Sequence, residues 1–260
     1  MKNKTPLISV ITCTLNASKF LEDNLESVNK QNFKDIEHVF VDGYSTDGTV
    51  SLINDYQKRM RFPVKLVQQS PQGISAAMNE GVRQAKGTYL IHLNADDYLH
   101  NHKVLEEVVR LTSKHPEEDW FYGQIQTIEK DGTPIGIFPK HWVFQQAWFW
   151  LLKYVNYIPH QAVIIKRIVF SKYGLFDVQI KHLMDYDLWL RIAPKTSWRF
   201  INLVVSNYRV HEGGSTSSKE NLKGIIASQF QTLDKNLSKA ESSLAKLVYL
   251  VLLRFNRMIR

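Results

Sequence analysis

Two groups of aspartates have the residue types and the spacing to take part in chemistry. Asn94-Ala-Asp-Asp97 follows an apolar segment, and Asp185-Tyr-Asp187 precedes Leu-Trp-Leu-Arg191. Neighbouring carboxylates repel each other unless a cation or hydrogen-bond donors offset their charge. Mg²⁺ and Mn²⁺ prefer oxygen ligands and commonly share them with substrate phosphates. The first group therefore favours a divalent-cation site, and one aspartate of the second group could act as a general base.

Each group also has a structural interpretation that the residues alone leave open. An aspartate-rich turn such as residues 94–97 can cap a following helix. Asp185 and Asp187 can lie in the first turn of a helix, where the macrodipole favours negative charge. The choice between these interpretations depends on the strands and helices that surround each group of aspartates.

Strand-like and helix-like segments alternate through the first half of the chain. The predicted strands are residues 7–14, 36–41, 64–68 and 89–93, and the predicted helices are residues 18–30, 49–60 and 74–85. This alternation predicts an α/β fold, with a mostly parallel sheet flanked by helices and right-handed crossovers. Ligands of such sheets bind at the carboxyl ends of the strands. The predicted site therefore lies at residues 12–16, 42–47, 69–73 and 94–97.

The second half of the chain is less regular. Residues 121–128 and 133–138 predict a hairpin, because Asp131-Gly132 between them is a typical turn pair. A strand and a helix are also predicted, at residues 161–165 and 185–192. Gly213-Gly-Ser-Thr-Ser-Ser218 predicts a linker to a helical tail.

The composition excludes several classes of protein. The chain has 260 residues, is 44% apolar, and carries 33 Lys and Arg against 25 Asp and Glu, a net charge of +8. This apolar content excludes a mainly disordered chain, and no apolar run approaches the roughly 20 residues of a membrane-spanning helix. Cys13 is the single cysteine, which excludes an internal disulfide and favours a reducing compartment. Since the N-terminal residues lack the features of a secretory signal, we expect a cytoplasmic protein.

The positive charge is concentrated at the C-terminal end. Residues 219–260 hold 8 Lys and Arg against 3 Asp and Glu, so the rest of the chain is nearly balanced. A helical wheel places Lys246, Arg254, Arg257 and Arg260 in one sector, with most apolar residues elsewhere. Such a helix is typical of segments that lie on an anionic membrane surface, here the inner face of the plasma membrane. Packing on the body of the protein or on a partner subunit is an equal alternative.

Six motifs occur in one order along the chain. They are Ser9–Asn16, Val41–Thr49, Gly73–Gly81, Leu93–Asp97, Tyr173–Asp177 and Asp185–Arg191, with His160-Gln161 between the fourth and the fifth. In this order and spacing the sequence resembles the family 2 glycosyltransferases, which are inverting enzymes that use nucleotide-sugars. The resemblance runs from about Pro6 to Ser217. It implies the Rossmann-like GT-A fold, here followed by a C-terminal amphipathic helical tail.

The resemblance implies where the nucleotide of the donor would bind. Thr12, Thr14 and Asn16 match the nucleotide-facing end of the family's first strand. Asp42, in the stretch Asp-Gly-Tyr-Ser-Thr-Asp-Gly48, is similar to the aspartate that hydrogen-bonds the base or the ribose. These four residues form the predicted nucleotide side of the site.

The resemblance also implies a metal site and a base. Asp96 and Asp97 resemble the family's DXD aspartates, where Mg²⁺ or Mn²⁺ bridges the two phosphates, and His211 matches a histidine near the metal. Because the first DXD position is Asn94, Asp96 and His211 are the predicted metal ligands. Asn94 and Asp97 are then assigned to donor binding. Asp185 matches the aspartate that is similar to a general base for the acceptor hydroxyl.

These assignments define a predicted organisation and function. Residues 1–217 would form the glycosyltransferase domain, with a nucleotide-binding part (1–100) and an acceptor-binding part (101–217), and residues 218–260 a basic helical tail. The enzyme would move a sugar from a UDP-sugar to a hydroxyl of a saccharide or lipid-linked acceptor, in cell-surface polysaccharide synthesis. The oligomeric state is not predicted.

Three alternatives were weighed against this prediction. An inactive nucleotide-binding or scaffold protein of the same fold stays open, because Asn94 and Met184 depart from the family pattern. A dinucleotide oxidoreductase is disfavoured, since no Gly-x-Gly-x-x-Gly occurs. A nucleic-acid-binding protein is disfavoured because no nucleic-acid motif occurs and the charge is concentrated in the tail.

Overall fold

The computed structural model describes residues 5–140, 144, 148–211 and 222–258. Its strands are β1 (Ile8–Thr14), β2 (Ile36–Asp42), β3 (Val64–Gln68), β4 (Tyr89–His92), β5 (Tyr98–Leu99), β6 (Trp120–Ile128), β7 (Pro134–Phe138), β8 (Val163–Lys166) and β9 (Trp198–Arg209). Its helices are α1 (Ser18–Asn29), α2 (Thr49–Arg59), α3 (Ile74–Gln84), α4 (Val104–Thr112), α5 (Phe149–Leu152), α6 (Arg167–Tyr173), α7 (Met184–Ile192), α8 (Leu222–Asn236) and α9 (Lys239–Met258). The seven elements predicted for the first half are all present, with bounds that agree within one residue.

The strands that the structure describes form one sheet. Their order is β3-β2-β1-β4-β8-β6-β9-β5, and β7 pairs with β6 as the predicted hairpin. β1 to β4 are mutually parallel, β8 is antiparallel to both β4 and β6, and β9 is parallel to β6. The carboxyl ends of β1, β2, β4, β6 and β9 therefore lie along one edge of the sheet, together with the amino end of β8.

Apolar side chains fill both faces of the sheet. On one face α1, α2 and α4 cover a cluster that includes Leu21, Phe40 and Ile53. On the other face Trp120 stacks between Trp189 (centroids 5.2 Å apart) and Trp198 (4.8 Å). The alternating side chains of β1 contribute to both clusters, as a parallel strand covered on its two faces requires.

The helices after β9 confirm the predicted helical C-terminal segment. The boundary predicted between residues 217 and 218, and the predicted linker, lie outside the described residues. α8 is joined to α7 by an ion pair between Lys235 and Asp187 (2.9 Å). α9 is joined to the body by Lys153 and Glu241 (2.7 Å). In the described part of the chain, no helix is long and apolar enough to cross a membrane.

Gly81 allows α3 to lie directly on β1. A Cβ at this position would overlap Cγ2 of Ile11, which is buried in the sheet. We expect Gly81→Val to lower the free energy of unfolding by about 2 kcal/mol, because overpacking a filled core forces its neighbours apart. Urea denaturation measures this change. Gly136→Val is the matched control, since a Cβ there meets no atom within 4 Å; an equal loss in both variants would contradict the packing explanation.

Candidate active site

Asp42 ends β2 at the carboxyl edge of the sheet, and its carboxylate is fully hydrogen-bonded. Oδ1 accepts from the hydroxyls of Thr14 (2.8 Å) and Ser45 (2.5 Å). Oδ2 accepts from the Ser45 N–H (2.8 Å) and from Gln68 Nε2 (3.3 Å). Burial alone would raise the pKa of Asp42, but these donors outweigh burial and hold the pKa below its ordinary value. Asp42 is therefore ionised, and in this structure it organises the loop that follows it.

The loop after β2 is fixed by Asn16 and Asp47. Asn16 has a positive φ of 49°, and its N–H donates to Ser45 Oγ (2.8 Å). The carboxylate of Asp47 accepts from the backbone N–H groups of Ser18 and Thr49, the first residues of α1 and α2. The hydrogen bond from the Thr49 hydroxyl is the main reason why the pKa of Asp47 lies well below its ordinary value. One carboxylate thus caps both helices that start beside the site.

Two exposed apolar side chains flank Asp42, and the sequence analysis did not assign them. Leu15 is 54% exposed and Tyr44 is 56% exposed. Leu15 and Tyr44 form an exposed rim around Asp42. Thr12 lies below this rim, because it is fully buried and its Oγ1 is 3.0 Å from His38 Nε2. The hydroxyl of Thr12 therefore supports the packing of β1 on β2. Leu15 directly follows the first predicted strand and Tyr44 lies in the loop after the second, and these positions were the signal that could have pointed to them.

Asp96 and His211, the two predicted metal ligands, lie side by side. Nε2 of His211 is 2.8 Å from Oδ2 of Asp96, although 115 residues separate them in sequence. The side chain of Asp96 is 31% exposed and that of His211 is 16% exposed. The imidazole donates to Asp96 when its proton is on Nε2, and Nε2 becomes a ligand atom when the proton is on Nδ1. The pair is accessible to a ligand from the solvent side.

Asp97 lies beneath this pair and is fully buried. Its carboxylate accepts from the Arg209 N–H (2.9 Å) and from Asn94 Nδ2 (2.9 Å). Burial, and secondarily the charge of Asp96, raise the pKa of Asp97 well above its ordinary value. The structure therefore places Asn94 and Asp97 in a network that ties the end of β9 to the turn after β4.

The guanidinium of Arg209 also connects the end of β9 to the turn after β4. It donates to the carbonyl of Asp96 (3.1 Å) and pairs with Asp23 of α1 (2.5 Å). It also lies over the ring of Phe20, 4.8 Å from the centroid. The backbone that carries Asp96 is thus held from two sides, by β9 and by α1.

The Asp96–His211 pair fits a divalent cation that is shared with a substrate. Among the described residues, no group of three or more His, Cys, Asp and Glu side chains could hold a metal ion by itself. One carboxylate and one imidazole, both partly exposed, are nevertheless a suitable partial set, since Mg²⁺ and Mn²⁺ commonly complete their shells with substrate phosphates and water. The donor set is therefore compatible with a metal site that forms only when a diphosphate is bound.

Asp185 and Asp187 lie in the first turn of α7 but have different surroundings. Asp187 is fully buried and its carboxylate bonds Arg191 (3.0 Å), Lys235 (2.9 Å) and Asn236 (2.9 Å). Asp185 is partly exposed and has no ion-pair partner among the described residues; its Oδ1 accepts the N–H of the next residue (2.9 Å). Asp187 therefore anchors α7 to α8, whereas the carboxylate of Asp185 takes no part in that anchoring.

The environment of Asp185 makes its carboxylate more basic than usual. Burial raises its pKa, and this effect is only partly offset by the neighbouring His160 and by backbone donors. His160 in turn has a pKa below its ordinary value because burial outweighs the attraction of Asp185. A carboxylate with a raised pKa is a better proton acceptor, which suits a general base.

His160 is a candidate site residue that the sequence analysis quoted but did not assign. Its ring lies 5.2 Å from that of His92 and 6.3 Å from that of Trp189, measured between centroids. Within the described part of the chain, neither nitrogen of His160, nor Nε2 of His92, nor Nε1 of Trp189 has a hydrogen-bond partner. Buried polar atoms are normally paired, so an enclosed water would satisfy these groups. A lone histidine in a sequence carries too little information to reveal such a cluster.

The sheet topology brings these parts to one edge. Because β8 is antiparallel to β4, His160 at the amino end of β8 lies near the carboxyl end of β4, and Asp185 is beside it. β2 and β4 are the two neighbours of β1, so Asp42 and the turn that carries Asp96 are separated by two strand spacings, about 10 Å. The edge thus carries Asp42, the Asp96–His211 pair and Asp185.

The sequence is similar to known proteins over most of its length. The model of the family described as glycosyl transferase family 2 matches residues 9–174. The PGL/p-HBAD biosynthesis glycosyltransferase of Mycobacterium bovis (strain BCG / Pasteur 1173P2) is 31% identical over 224 residues, which cover 85% of this chain and 84% of that protein. The UDP-Glc:alpha-D-GlcNAc-diphosphoundecaprenol beta-1,3-glucosyltransferase WfaP of Escherichia coli is 28% identical over 216 residues, 82% of this chain and 81% of its own.

Solved structures show the same fold. TarS of S. aureus, residues 1–349 in complex with UDP-GlcNAc, superposes with a TM-score of 0.72 at 18% identity, covering 94% of this chain and 71% of TarS. The mannosyltransferase PcManGT of Pyrobaculum calidifontis, in complex with GDP-Man and Mn²⁺, also has a TM-score of 0.72 at 18% identity, with 95% and 70% covered. The GT-A fold is thereby confirmed. Because the family model covers more than half of the chain and a relative that is 31% identical is named a glycosyltransferase, the protein is a nucleotide-sugar-dependent glycosyltransferase that belongs to glycosyl transferase family 2.

Proposed function

We propose that this enzyme transfers a sugar from a UDP-sugar, with inversion, to a hydroxyl of a saccharide or lipid-linked acceptor in the synthesis of a cell-surface glycan. The observation that carries the proposal is the presence at one sheet edge of the Asp96–His211 pair and of a separate basic carboxylate, Asp185. Relatives support the choice of substrates. WfaP is named for UDP-glucose and a diphosphoundecaprenol-linked acceptor, and TarS was crystallised with UDP-GlcNAc.

The nucleotide would bind beside Asp42. All four donors to its carboxylate come from the protein, so a ligand contact requires that one of them be replaced. Gln68 makes the longest of these hydrogen bonds, 3.3 Å, and is the donor that a uracil N–H or a ribose hydroxyl would replace. The exposed side chains of Leu15 and Tyr44 would offer apolar surface to the base.

The diphosphate would lie at the Asp96–His211 pair. Asp96 and His211 would hold a divalent cation, Mg²⁺ or Mn²⁺, which when bound supplies Lewis-acid stabilisation of charge on a departing diphosphate. Arg209 and Asp97 would keep Asp96 in place, since they fix the turn that carries it. The protein thus contributes a rigid, partly exposed acidic ligand on a turn held by two elements.

Asp185 would act on the acceptor. Its carboxylate takes the proton of the acceptor hydroxyl as the oxygen attacks the anomeric carbon, while the bond from that carbon to the diphosphate oxygen breaks. Attack from the side opposite the leaving group inverts the anomeric centre. His160 beside Asp185 would act through its charge, since it partly offsets the rise that burial causes in the pKa of Asp185.

A donor screen tests the proposal. Release of nucleoside diphosphate is measured from UDP-, GDP- and dTDP-sugars, with and without EDTA, in the presence of saccharide and polyprenyl-diphosphate-saccharide acceptors. We expect release from a UDP-sugar, and we expect EDTA to lower it by at least about tenfold because the leaving diphosphate loses its Lewis acid. Release from a GDP- or dTDP-sugar alone would overturn the assignment of the donor. Absence of release from every donor would favour the inactive scaffold.

A further inference from the structure

The outer face of α9 exposes several large apolar side chains. The packed face includes Ser242 and Ala245, which are 2% and 0% exposed. The outer face carries Leu244 (50% exposed), Leu247 (59%) and Val251 (44%). These three residues are spaced by three and four positions and so form one stripe along the helix. We call Leu244, Leu247 and Val251 the outer stripe of α9.

The outer stripe is wider than a single row. Leu250 and Leu252 on its flanks are 46% and 43% exposed. Among the residues that the structure describes, none covers this surface, while smaller side chains of the same helix are buried. Contiguous exposed leucines of this kind mark a surface that is buried by another molecule.

The charges of α9 indicate which kind of molecule covers the outer stripe. Residues 242–260 contain four Lys and Arg and no Asp or Glu. The last acidic residue of the chain, Glu241, pairs with Lys153, and Lys246 pairs with Asp234 of α8. Arg254 is exposed and follows Val251 by three residues, so it continues the outer stripe. The stripe therefore ends in positive charge that acidic residues of α9 do not neutralise.

We propose that α9 lies flat on a lipid bilayer that contains anionic lipids, with the outer stripe at the acyl boundary and Arg254 among the headgroups. A helix of 20 residues is about 30 Å long and can lie on such a surface over its whole length. Anionic headgroups complement its basic end, whereas a second copy of α9 would bring further arginines and no carboxylate beyond the paired Glu241. The inference rests on α9 and is independent of the roles proposed for Asp96 and Asp185.

Vesicle flotation of the full chain tests this inference. Vesicles of phosphatidylcholine alone are compared with vesicles in which about one third of the lipid is phosphatidylglycerol. We expect binding to the anionic vesicles that weakens as salt is raised. Leu247→Glu should weaken the partition coefficient by at least about tenfold, because an apolar side chain is lost and a repelled charge is added. Arg254→Gln should weaken it by about fivefold.

Ile168→Glu is the matched control. Ile168 lies on α6, is 50% exposed, and undergoes the same change of side chain and charge. It should bind vesicles as the wild type does, and circular dichroism should show that all variants are folded. Nucleoside diphosphate release with a soluble acceptor should be the same in Leu247→Glu and the wild type, so that loss of docking and loss of catalysis are distinguished.

Three outcomes would overturn the inference. The first is wild-type protein that does not float with anionic vesicles, or that floats equally with phosphatidylcholine alone. The second is a Leu247→Glu variant that binds as tightly as Ile168→Glu. The third is a dimer in analytical ultracentrifugation that Leu247→Glu dissociates while vesicle binding is absent, since the outer stripe would then be an interface between two copies of the chain.

Discussion

Replacing Asp185 with asparagine is expected to lower kcat for sugar transfer by about 10²- to 10⁴-fold while the affinity for the nucleotide is unchanged. The amide has the shape of the carboxylate but cannot accept the proton of the acceptor hydroxyl, and loss of a general base has effects of this size. The side chain lies on α7, beside His160, and not at the rim formed around Asp42. Initial rates give kcat, and isothermal titration with UDP gives the affinity.

The pH profile supplies a second readout for Asp185. Its pKa is raised, mainly by burial, so the base is protonated at a higher pH than an ordinary aspartate. Activity should therefore fall as pH is lowered through that raised value, and this acidic limb should be absent from the residual activity of Asp185→Asn. A wild-type profile that is flat down to the ordinary pKa of aspartate would contradict the raised pKa.

The same shift predicts an effect on stability. Because the folded-state pKa lies above the unfolded-state value, the folded protein binds more protons between the two, and stability falls as pH rises through that window. At neutral pH the ionised Asp185 therefore costs stability, and Asp185→Asn should have a Tm equal to or above that of the wild type. A lower Tm at neutral pH would show that the carboxylate has a structural partner.

Asp187→Asn is the control for these measurements. The carboxylate of Asp187 is buried between Arg191 and Lys235. Its neutralisation leaves Arg191 without a carboxylate and leaves Lys235 with Asp177 alone. We expect a loss of about 3 kcal/mol in the free energy of unfolding, with the acidic limb of the pH profile retained. If Asp187→Asn removes the limb and Asp185→Asn does not, the two aspartates have been assigned in the wrong order.

Asp96→Asn is expected to lower kcat/KM by about 10²- to 10³-fold and to weaken Mn²⁺ binding in the presence of UDP. The change removes the negative charge of the accessible carboxylate in the Asp96–His211 pair but keeps its size. Loss of one group that stabilises charge on a leaving diphosphate has effects of this order. Electron paramagnetic resonance of Mn²⁺, titrated with and without UDP, measures binding separately from turnover.

The matched control for Asp96→Asn is Asp55→Asn. Asp55 lies on α2 with a side chain that is 61% exposed, so the same charge is removed away from the site. It should leave both Mn²⁺ binding and kcat/KM at wild-type values. Equal weakening in both variants would mean that net charge is responsible, and unchanged Mn²⁺ binding in Asp96→Asn would remove Asp96 from the metal site.

Asp42 shows how the structure changes the meaning of a motif residue. The family resemblance implies that Asp42 bonds the nucleotide, yet both of its oxygens are occupied by donors from β1, β3 and its own loop. Those donors lie 3 to 28 residues away in sequence, so their convergence on one carboxylate depends on strand register. The nucleotide role of Asp42 stays a prediction, and its role in holding the loop is visible in the structure.

The strands and helices of the first half, and the order of the motifs, were predictable from the amino-acid sequence alone. β1 to β4 and α1 to α3 were predicted from apolar runs and helical spacing because each of these signals is local, extending over one element at a time. The aspartates at 96 and 185 were also recognisable from sequence, since residue types and their immediate neighbours carry that information. A local pattern does not show which distant strand pairs with the element that it predicts.

The contacts between residues that are distant in sequence depend on the fold. β9 was not predicted, and it is β9 that carries His211 to Asp96 and Arg209 to the turn beneath it. The reversed direction of β8 places His160 at the edge where Asp185 lies, and burial between Arg191 and Lys235 removes Asp187 from consideration as a base. Long-range strand pairing and burial arise from the packing of the whole chain. The residue types of the site could therefore be predicted from the sequence, whereas the distances between their side chains are set by the fold.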